Sequence, residues 1–295
     1  MRSLALLALG AALLSGDGAG AADGEATVRI LFTNNSNGKL TDCNCRNDPY
    51  GGLAERVSLV REYRSRHDDI LLLDSGGYLG LTDVDRRAPR VFALMNLMGY
   101  DAWGVGDQEL YRGLESFTGL LGGHREKVIS ASIRGRDGTE AFTPFRIFTP
   151  GEVRIAVTGI AAPETFAFSP KDAIDFTWGK PEETLKALLP GLRTKADYVV
   201  VLSQMGYTID RRIAGSVPGI DLIIGSHSQT LLEREVREGG CRIVQAGKNG
   251  GRVGEVTLLF DTKKTMKKFS YRLIEVDKSY KIPGEVMPML DFGRN

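Results

Sequence analysis

Several short polar loops of this sequence hold residue types that bind cations or transfer protons. Asp107 and Glu109 lie two positions apart in one such loop, and His227 lies in another. Carboxylates and imidazoles that meet in a fold can ligate a divalent metal or act as acid and base. Other loops of the same kind carry amides or glycine instead, at Asn35, Asn37, Gly77, Gln204 and Gln229.

Three cysteines follow the N-terminal region, at Cys43, Cys45 and Cys241. The C-x-C pair indicates either a soft-metal or redox site, with His227 or Cys241 as a further partner, or a structural disulfide. A ring closed between Cys43 and Cys45 would be small and strained, whereas a bridge from either one to Cys241 is geometrically allowed. Because three is odd, at least one thiol stays unpaired unless it binds something.

The elements that must position these loops alternate short apolar runs with amphipathic stretches. This strand–loop–helix rhythm is typical of an α/β sheet, in which ligands gather at the carboxyl ends of the strands. Every polar loop named above follows a predicted strand. Strands are predicted at 28–32, 70–73, 102–105, 128–132, 145–148, 155–159, 198–202, 222–224, 243–246, 254–260 and 269–275, and helices at 52–66, 90–98 and 181–192.

Composition indicates a globular chain without a strong electrostatic partner preference. Of its 295 residues, 42% are hydrophobic and 25% charged, and the formal net charge is +1. The composition lies outside the disordered class, and the near-neutral charge gives no support for a nucleic-acid partner.

The N-terminus predicts export. Arg2 precedes an apolar run at 3–14, and small residues follow at 19–21. This pattern is typical of a cleaved secretory signal, here 1–22, and the alternative is an uncleaved anchor. We expect a periplasmic or extracellular protein with no membrane span after cleavage. A single domain would then cover 23–282, followed by a loosely packed C-terminal tail at 283–295.

The ordered blocks of the sequence resemble a known family. They include Gly51-Gly52-Leu53-Ala54-Glu55-Arg56, the run from Met95 to Ala102, and the run from Ile220 to Gly225. Together they are similar to the N-terminal catalytic domain of the 5′-nucleotidase branch of the calcineurin-like metallophosphoesterases, over roughly residues 28–275. The resemblance implies a single α/β domain, built as a two-sheet α/β/β/α sandwich. It also implies two divalent metals that activate a hydroxide for phosphoester hydrolysis.

The family's ligand motifs are degenerate in this chain. The motif D-x-H falls on Asn35-Ser36-Asn37, G-D on Gly76-Gly77, G-N-H-E on Gly106 to Glu109, S-H on Ser203-Gln204, and G-H-x-H on Ser226 to Gln229. The bridging carboxylate becomes Gly77, and the proton donor becomes Gln108, which cannot exchange a proton near neutral pH. His227 is kept and Asp107 can still ligate. With so few anionic ligands, we expect no cofactor beyond one weakly bound divalent metal at Asp107 and His227.

Three functions remain open from the sequence. The first is a non-catalytic binding or partner protein of the cell envelope, in which the substituted amides form a neutral network filling the former metal chamber. Its partner would be an envelope protein or a small polar ligand. The second is a residual phosphoesterase with one metal at Asp107 and His227, or with Glu109 recruited. The third is a thiol or soft-metal protein centred on Cys43 and Cys45.

One further expectation concerns partners. Some exported relatives with a C-x-C in this loop resemble proteins associated with multihaem cytochromes, which suggests a cytochrome-associated role. The chain has no C-x-x-C-H, so we do not expect covalent haem on it.

Overall fold

The computed structural model describes residues 25–42 and 49–290. The predicted signal at 1–22 and the cysteines Cys43 and Cys45 lie outside the described residues.

Strands and α-helices alternate at 26–121 and at 176–225, and strands follow one another elsewhere. The strands are β1 (Ala26–Thr33), β2 (Ile70–Asp74), β3 (Ala102–Trp103), β4 (Ile133–Gly135), β5 (Phe145–Phe148), β6 (Ile155–Ala161), β7 (Phe176–Trp178), β8 (Tyr198–Gln204), β9 (Leu222–Gly225), β10 (Val236–Glu238), β11 (Cys241–Val244), β12 (Arg252–Phe260) and β13 (Met266–Glu275). The helices are α1 (Leu53–Arg66), α2 (Val84–Met98), α3 (Leu114–Leu121), α4 (Pro181–Arg193), α5 (Tyr207–Ser216) and α6 (Met287–Leu290).

Two large mixed sheets form the centre of the domain. The first has the order β13-β12-β1-β2-β3, and the second has the order β10-β11-β9-β8-β6-β5. In the first sheet β1, β2 and β3 are parallel. In the second sheet β6, β8, β9 and β11 are parallel. A parallel arrangement sends the loops that follow these strands to one edge of each sheet.

The hydrophobic core is layered. Apolar side chains of both sheets meet face to face, for example Ile30 and Phe32 of β1 with Val200 of β8 and Ile224 of β9. Helices α1 and α2 cover the outer face of the first sheet, and α4 and α5 cover that of the second. The central strands of each sheet are thus buried on both faces, which agrees with their uninterrupted apolar runs. The predicted single-domain α/β/β/α sandwich is confirmed.

A glycine requirement fixes where α1 begins. A Cβ on Gly52 would lie 2.6 Å from the carbonyl oxygen of Lys39, so only glycine allows the loop after β1 to lie against the helix start. Glu55 accepts the Gly52 N–H at 2.8 Å and thereby caps the first turn. Helix α1 is therefore locked against the loop that carries Asn35 and Asn37.

Some elements differ from their prediction. The predicted strand at 128–132 forms only isolated bridges at Val128 and Ile129, because its backbone bonds to several partners in turn. Helix α5 was not predicted from the sequence. The tail at 283–295 was expected to be loose, yet in its described part, 283–290, Val286 is fully buried against the core and Glu285 pairs with Arg61. Residues 291–295 lie outside the described residues. Within the described ranges, no helix combines the length and the apolar character needed to cross a membrane.

Candidate functional site

The predicted site positions come together at the carboxyl edge of the two sheets. The N–H of Asn35 donates to the carbonyl of Gly76 at 2.9 Å, and the N–H of Asn37 donates to that of Gly77 at 2.8 Å. The Ser75 hydroxyl donates to the carbonyl of Gly225 at 3.1 Å, which ties the loop after β2 to the end of β9. Backbone contacts thus bind the loops of both sheets into one site.

Ser226 is the centre of a buried hydrogen-bond network. Gln204 Nε2 donates to Ser226 Oγ at 2.9 Å, and Ser226 Oγ lies 2.9 Å from Asn35 Oδ1. Asn34 Nδ2 donates to the same Asn35 oxygen at 3.0 Å. All four side chains are neutral and at most 2% exposed. Within the described part of the chain, Gln204 Oε1 finds no donor, which leaves one acceptor of this network without a partner.

A second group of amides lies beside the first. Asn37 Nδ2 donates to Asn249 Oδ1 at 2.9 Å. The Gln108 amide reaches Asn37 Oδ1 in either of its two orientations, at 2.9 Å or 3.3 Å. Gln108 stands where the resembled family has its proton donor, and here it makes a neutral hydrogen bond.

A carboxylate at position 77, where the resembled family has one that bridges two metals, would have to displace the Asn35 amide. The backbone of Gly77 has a φ of +72°, and a Cβ there would lie 2.8 Å from Asn35 Nδ2 and 3.2 Å from Asn35 Cα. Likewise, a Cβ on Gly76 or Gly106 would meet the Gln204 side chain. Asn35 and Gln204 therefore occupy the space beside the missing carboxylate.

Gln229 does not join the neutral network in which the sequence places it. Its side chain is exposed and makes no hydrogen bond with the rest of the described chain. Its φ is +54°, a left-handed backbone that is uncommon for a residue other than glycine. Asn35 and Gln204 therefore belong to the buried network and Asn37 to the neighbouring group of amides, while Gln229 is exposed at the rim.

Among the predicted metal positions, His227 and Asp107 carry an imidazole and a carboxylate, and these two side chains form a pair. His227 Nδ1 lies 3.1 Å from Asp107 Oδ1, and the two side chains are 34% and 24% exposed. Both are accessible from solvent and share one edge of the site. Two such donors can hold one hydrated divalent ion weakly.

Glu109 is engaged in supporting the loops. Its carboxylate accepts the N–H groups of Gly77, Leu79 and Gly106, each at 3.1 Å. Burial raises the pKa of Glu109 to about 7, although the N–H groups of Gly77 and Leu79 oppose the rise. A carboxylate that already accepts three backbone donors is poorly placed to ligate a metal.

Asp74 anchors the loop after β2 from below. It accepts hydrogen bonds from the Thr33 hydroxyl and, at 2.8 Å, from the N–H of Gly76. Burial raises the pKa of Asp74 to about 6. These contacts agree with a structural role for Asp74.

Arg56 and Tyr100 support the site and were not recognised from the sequence. Arg56 Nη1 donates to the Tyr100 hydroxyl at 3.0 Å, and Arg56 Nη2 donates to Ser36 Oγ at 3.1 Å and to the carbonyl of Gly250 at 3.2 Å. The guanidinium is fully buried. In the sequence, Arg56 is marked only by its position in the block Gly51-Gly52-Leu53-Ala54-Glu55-Arg56, at the start of α1.

Cys241 is a free, buried thiol in β11. Burial raises its pKa to about 12, which keeps it protonated and unreactive at neutral pH. It offers no support for a thiol site shared with Cys43 and Cys45, which lie outside the described residues.

The donor set does not fit a pair of divalent metals. Two adjacent dications need anionic ligands to offset their charge, and the centre of this site holds neutral amides around Gly77. Over residues 25–42 and 49–290, no group of three or more histidine, cysteine or acidic side chains is arranged to hold a metal ion.

Comparison with known proteins gives several 5′-nucleotidases as relatives in sequence. The chain is 28% identical over 279 residues to a snake venom 5′-nucleotidase of Gloydius brevicauda, covering 85% of this chain and 47% of that protein. Two solved structures share the fold. One is a 5′-nucleotidase precursor from Thermus thermophilus, with a TM-score of 0.78, 24% identity, and coverage of 90% of this chain and 58% of that one. The other is the calcineurin-like phosphoesterase YfkN from Bacillus subtilis, with a TM-score of 0.75, 18% identity, and coverage of 90% and 96%.

The extent of these matches is partial. The chain spans about half the length of the curated relatives it matches first, between 46% and 52%. No family model matches the chain. The resemblance predicted from the ordered sequence blocks is nevertheless confirmed by both sequence and fold.

Proposed function

We propose that this chain, a relative of the 5′-nucleotidase-type metallophosphoesterases in sequence and fold, is a non-catalytic binding protein of the cell envelope. It would use the face where its relatives carry out hydrolysis as a polar docking site. The ligand or partner would contact the rim of that face, since its centre is closed by buried amides.

The packing of Asn35 against Gly77 is the observation that carries this proposal. The amide stands 2.8 Å from where a Cβ on Gly77 would begin. A bridging carboxylate at this position would need Asn35 to move, which would break its hydrogen bonds to Ser226 and Asn34. Asn35 and Gly77 therefore fit each other, because the amide occupies space that a side chain at position 77 would need. A site that had lost a single ligand would not need this fit.

Charge balance gives the physical reason for inactivity. Hydrolysis by this class of enzyme needs cations that position a hydroxide and neutralise the charge developing on the phosphoryl group. Neutral amides stabilise each other by hydrogen bonds, but they offset almost none of the charge of two dications. Gln108 cannot protonate a leaving group near neutral pH.

Export is a part of the proposal that rests on the sequence. The basic start, the apolar run at 3–14 and the small residues at 19–21 are typical of a secretory signal. We propose a periplasmic or extracellular location, with an envelope protein or a small polar molecule as the partner. An association with a cytochrome would be one case of the former.

Hydrolysis assays test the loss of activity. The chain without residues 1–22 is incubated with manganese and either bis-(p-nitrophenyl) phosphate or a nucleoside 5′-monophosphate, with a snake venom 5′-nucleotidase as the positive control. We expect no turnover above that of the metal alone. Manganese-dependent turnover that saturates with substrate would overturn the proposal.

A residual one-metal phosphoesterase is the second candidate, because His227 and Asp107 stay together at the solvent-facing edge. If this function is correct, any weak activity is lost in both Asp107→Ala and His227→Ala. It is retained in Asp172→Ala, which removes an exposed carboxylate outside the site. Equal residual rates in all of these proteins would exclude this candidate.

A further inference from the structure

A cavity of about 520 Å³ opens beside the amide network. It lies between the loop at 228–231 and the loop at 247–249, with Tyr50 and Arg252 on its remaining side. This volume is in the range of pockets that enclose small molecules. Of the metal positions that the resemblance implies, only Gln229 is among the residues that line this cavity.

The charges around this cavity are positive. Lys248 makes no ion pair or side-chain hydrogen bond with other described residues, and it is exposed. Arg252 donates to Tyr50 Oη at 2.6 Å and to Glu275 at 3.0 Å, and its guanidinium lies 4.5 Å from the centre of the Tyr50 ring. Among the described residues that line the cavity, none is acidic. An anion would therefore find a cation that is not already neutralised.

The loop that presents Lys248 is held in place by the substituted metal positions. The N–H of Asn249 donates to the carbonyl of Asn35 at 2.7 Å, and its side chain accepts from Asn37 at 2.9 Å. The N–H of Gly247 donates to the carbonyl of Thr230 at 3.1 Å, which joins the two cavity loops. A binding loop that is rigid before the ligand arrives loses less entropy on binding.

Gln229 points to the same use of the cavity. A residue with a side chain is strained in the left-handed region, and such positions cluster at functional sites. Gln229 has a φ of +54° and an exposed amide, and it lines the cavity opposite the Lys248 loop. Its amide supplies N–H donors that suit an oxyanion.

We propose that this cavity binds a small oxyanion, a carboxylate or a phosphate, with Lys248 as its counter-ion and Gln229 as a hydrogen-bond donor. The proposal deepens the binding function above and rests on it, because a bound anion here occupies the rim of a site that performs no hydrolysis. The ligand is held by side chains that two fixed loops of this chain present, and by no metal.

Calorimetric titration tests the proposal. The chain without residues 1–22 is titrated separately with succinate and with inorganic phosphate, in metal-free buffer at low and at raised sodium chloride. We expect binding of one of the two anions that weakens with salt. Lys248→Met should weaken it about tenfold or more, since hydrogen bonds to charged groups contribute about 1.5–3 kcal/mol.

Matched variants distinguish binding in this cavity from a general effect of positive charge on the protein. Lys263→Met removes the same charge from an exposed turn and should leave the affinity unchanged. Gln229→Ala should weaken binding several-fold. Absence of binding by both anions, or equal losses in Lys263→Met and Lys248→Met, would overturn this proposal. Saturable manganese-dependent hydrolysis would instead refute the non-catalytic function, so the two failures are distinguishable.

Discussion

Asn37 Nδ2 donates to Asn249 Oδ1 at 2.9 Å, across 212 positions of sequence. Asn37 stands where the resembled family has a metal-binding histidine. A side chain at a ligand position thus holds a neighbouring loop. It does so by a neutral hydrogen bond, whereas in the resembled family the same position would bind a cation. This relationship links the closed centre of the site to the cavity at its rim.

The contribution of the Asn37 side chain can be measured. Asn37→Ala removes its hydrogen bonds to Asn249 and Gln108 and places alanine at a φ of +52°. We expect the free energy of unfolding to fall by about 1–2 kcal/mol. Urea denaturation provides the measurement. Asn96→Ala is the matched control, because Asn96 is exposed on α2 and alanine favours a helix. An equal stability for Asn37→Ala and the wild type would argue that the contact contributes nothing.

Returning the family's carboxylate to Gly77 should harm the fold. Gly77→Asp places a Cβ against Asn35 in a backbone with a φ of +72°. We expect a loss of about 2–3 kcal/mol in the free energy of unfolding, from backbone strain, steric contact and burial of a carboxylate.

The control for that variant is Gly138→Asp. Gly138 has a φ of +81° and nothing within 4 Å of its Cβ position. It shares the backbone strain without the contact, so we expect a loss of only about 1 kcal/mol. Added manganese should not restore Gly77→Asp. Restoration of stability by manganese would show that a metal chamber still exists.

The raised pKa of Asp210 leads us to expect that the free energy of unfolding falls as the pH rises. Asp210 is fully buried on α5, accepts a hydrogen bond from the Ser203 hydroxyl, and has a pKa raised by burial from 3.8 to about 8. Between these values the unfolded chain releases its proton and the folded chain keeps it. The free energy of unfolding therefore falls as the pH rises through this window, by up to about 1.4 kcal/mol per pH unit.

Asp210→Asn should remove that part of the slope. The pKa values of Asp74 and Glu109 are raised to about 6 and about 7, so the interval from pH 7 to 8 is the most specific to Asp210. Urea midpoints across this interval provide the measurement, with the exposed Asp172→Asn as control. A slope that is the same in Asp210→Asn and the wild type would contradict the prediction.

Cys241 should be unreactive while the protein is folded. Its burial and raised pKa leave almost no thiolate at neutral pH. In a Cys43→Ser/Cys45→Ser variant, we expect an aromatic disulfide reagent to react with Cys241 only after denaturation. Rapid reaction of the folded variant would show an accessible thiolate and would revive the thiol hypothesis for this part of the chain.

The sheets could be predicted from the sequence because their strands are buried on both faces. The strand Ile70–Asp74 is buried at every position, and its apolar run is short and bounded by polar residues. Helix α5 has no comparable signal: it is ten residues long, and only Asp210, Ile213 and Ala214 are buried. Amphipathic patterns of this length are easily missed.

Part of the candidate site could be predicted from the sequence. Asn35, Asn37, Gly77 and Gln204 were placed by their order along the chain, and the loops do bring them together. The role of Asn249 was not readable, because hydrogen bonds between loops far apart in sequence leave no local pattern. The exposure of Gln229 was missed for the same reason, since the amide alone does not tell whether it faces inward or outward.

Metal content tests the central claim most directly. The chain without residues 1–22 is stripped with chelator, incubated with manganese, passed through a desalting column and analysed for bound metal, and crystals grown with manganese are measured at its absorption edge. Neutral amides and Gly77 predict fewer than one retained manganese per chain and no paired anomalous peaks. Two manganese ions per chain, seen as adjacent peaks between Asp107 and Gln204, would contradict the loss of the dinuclear centre.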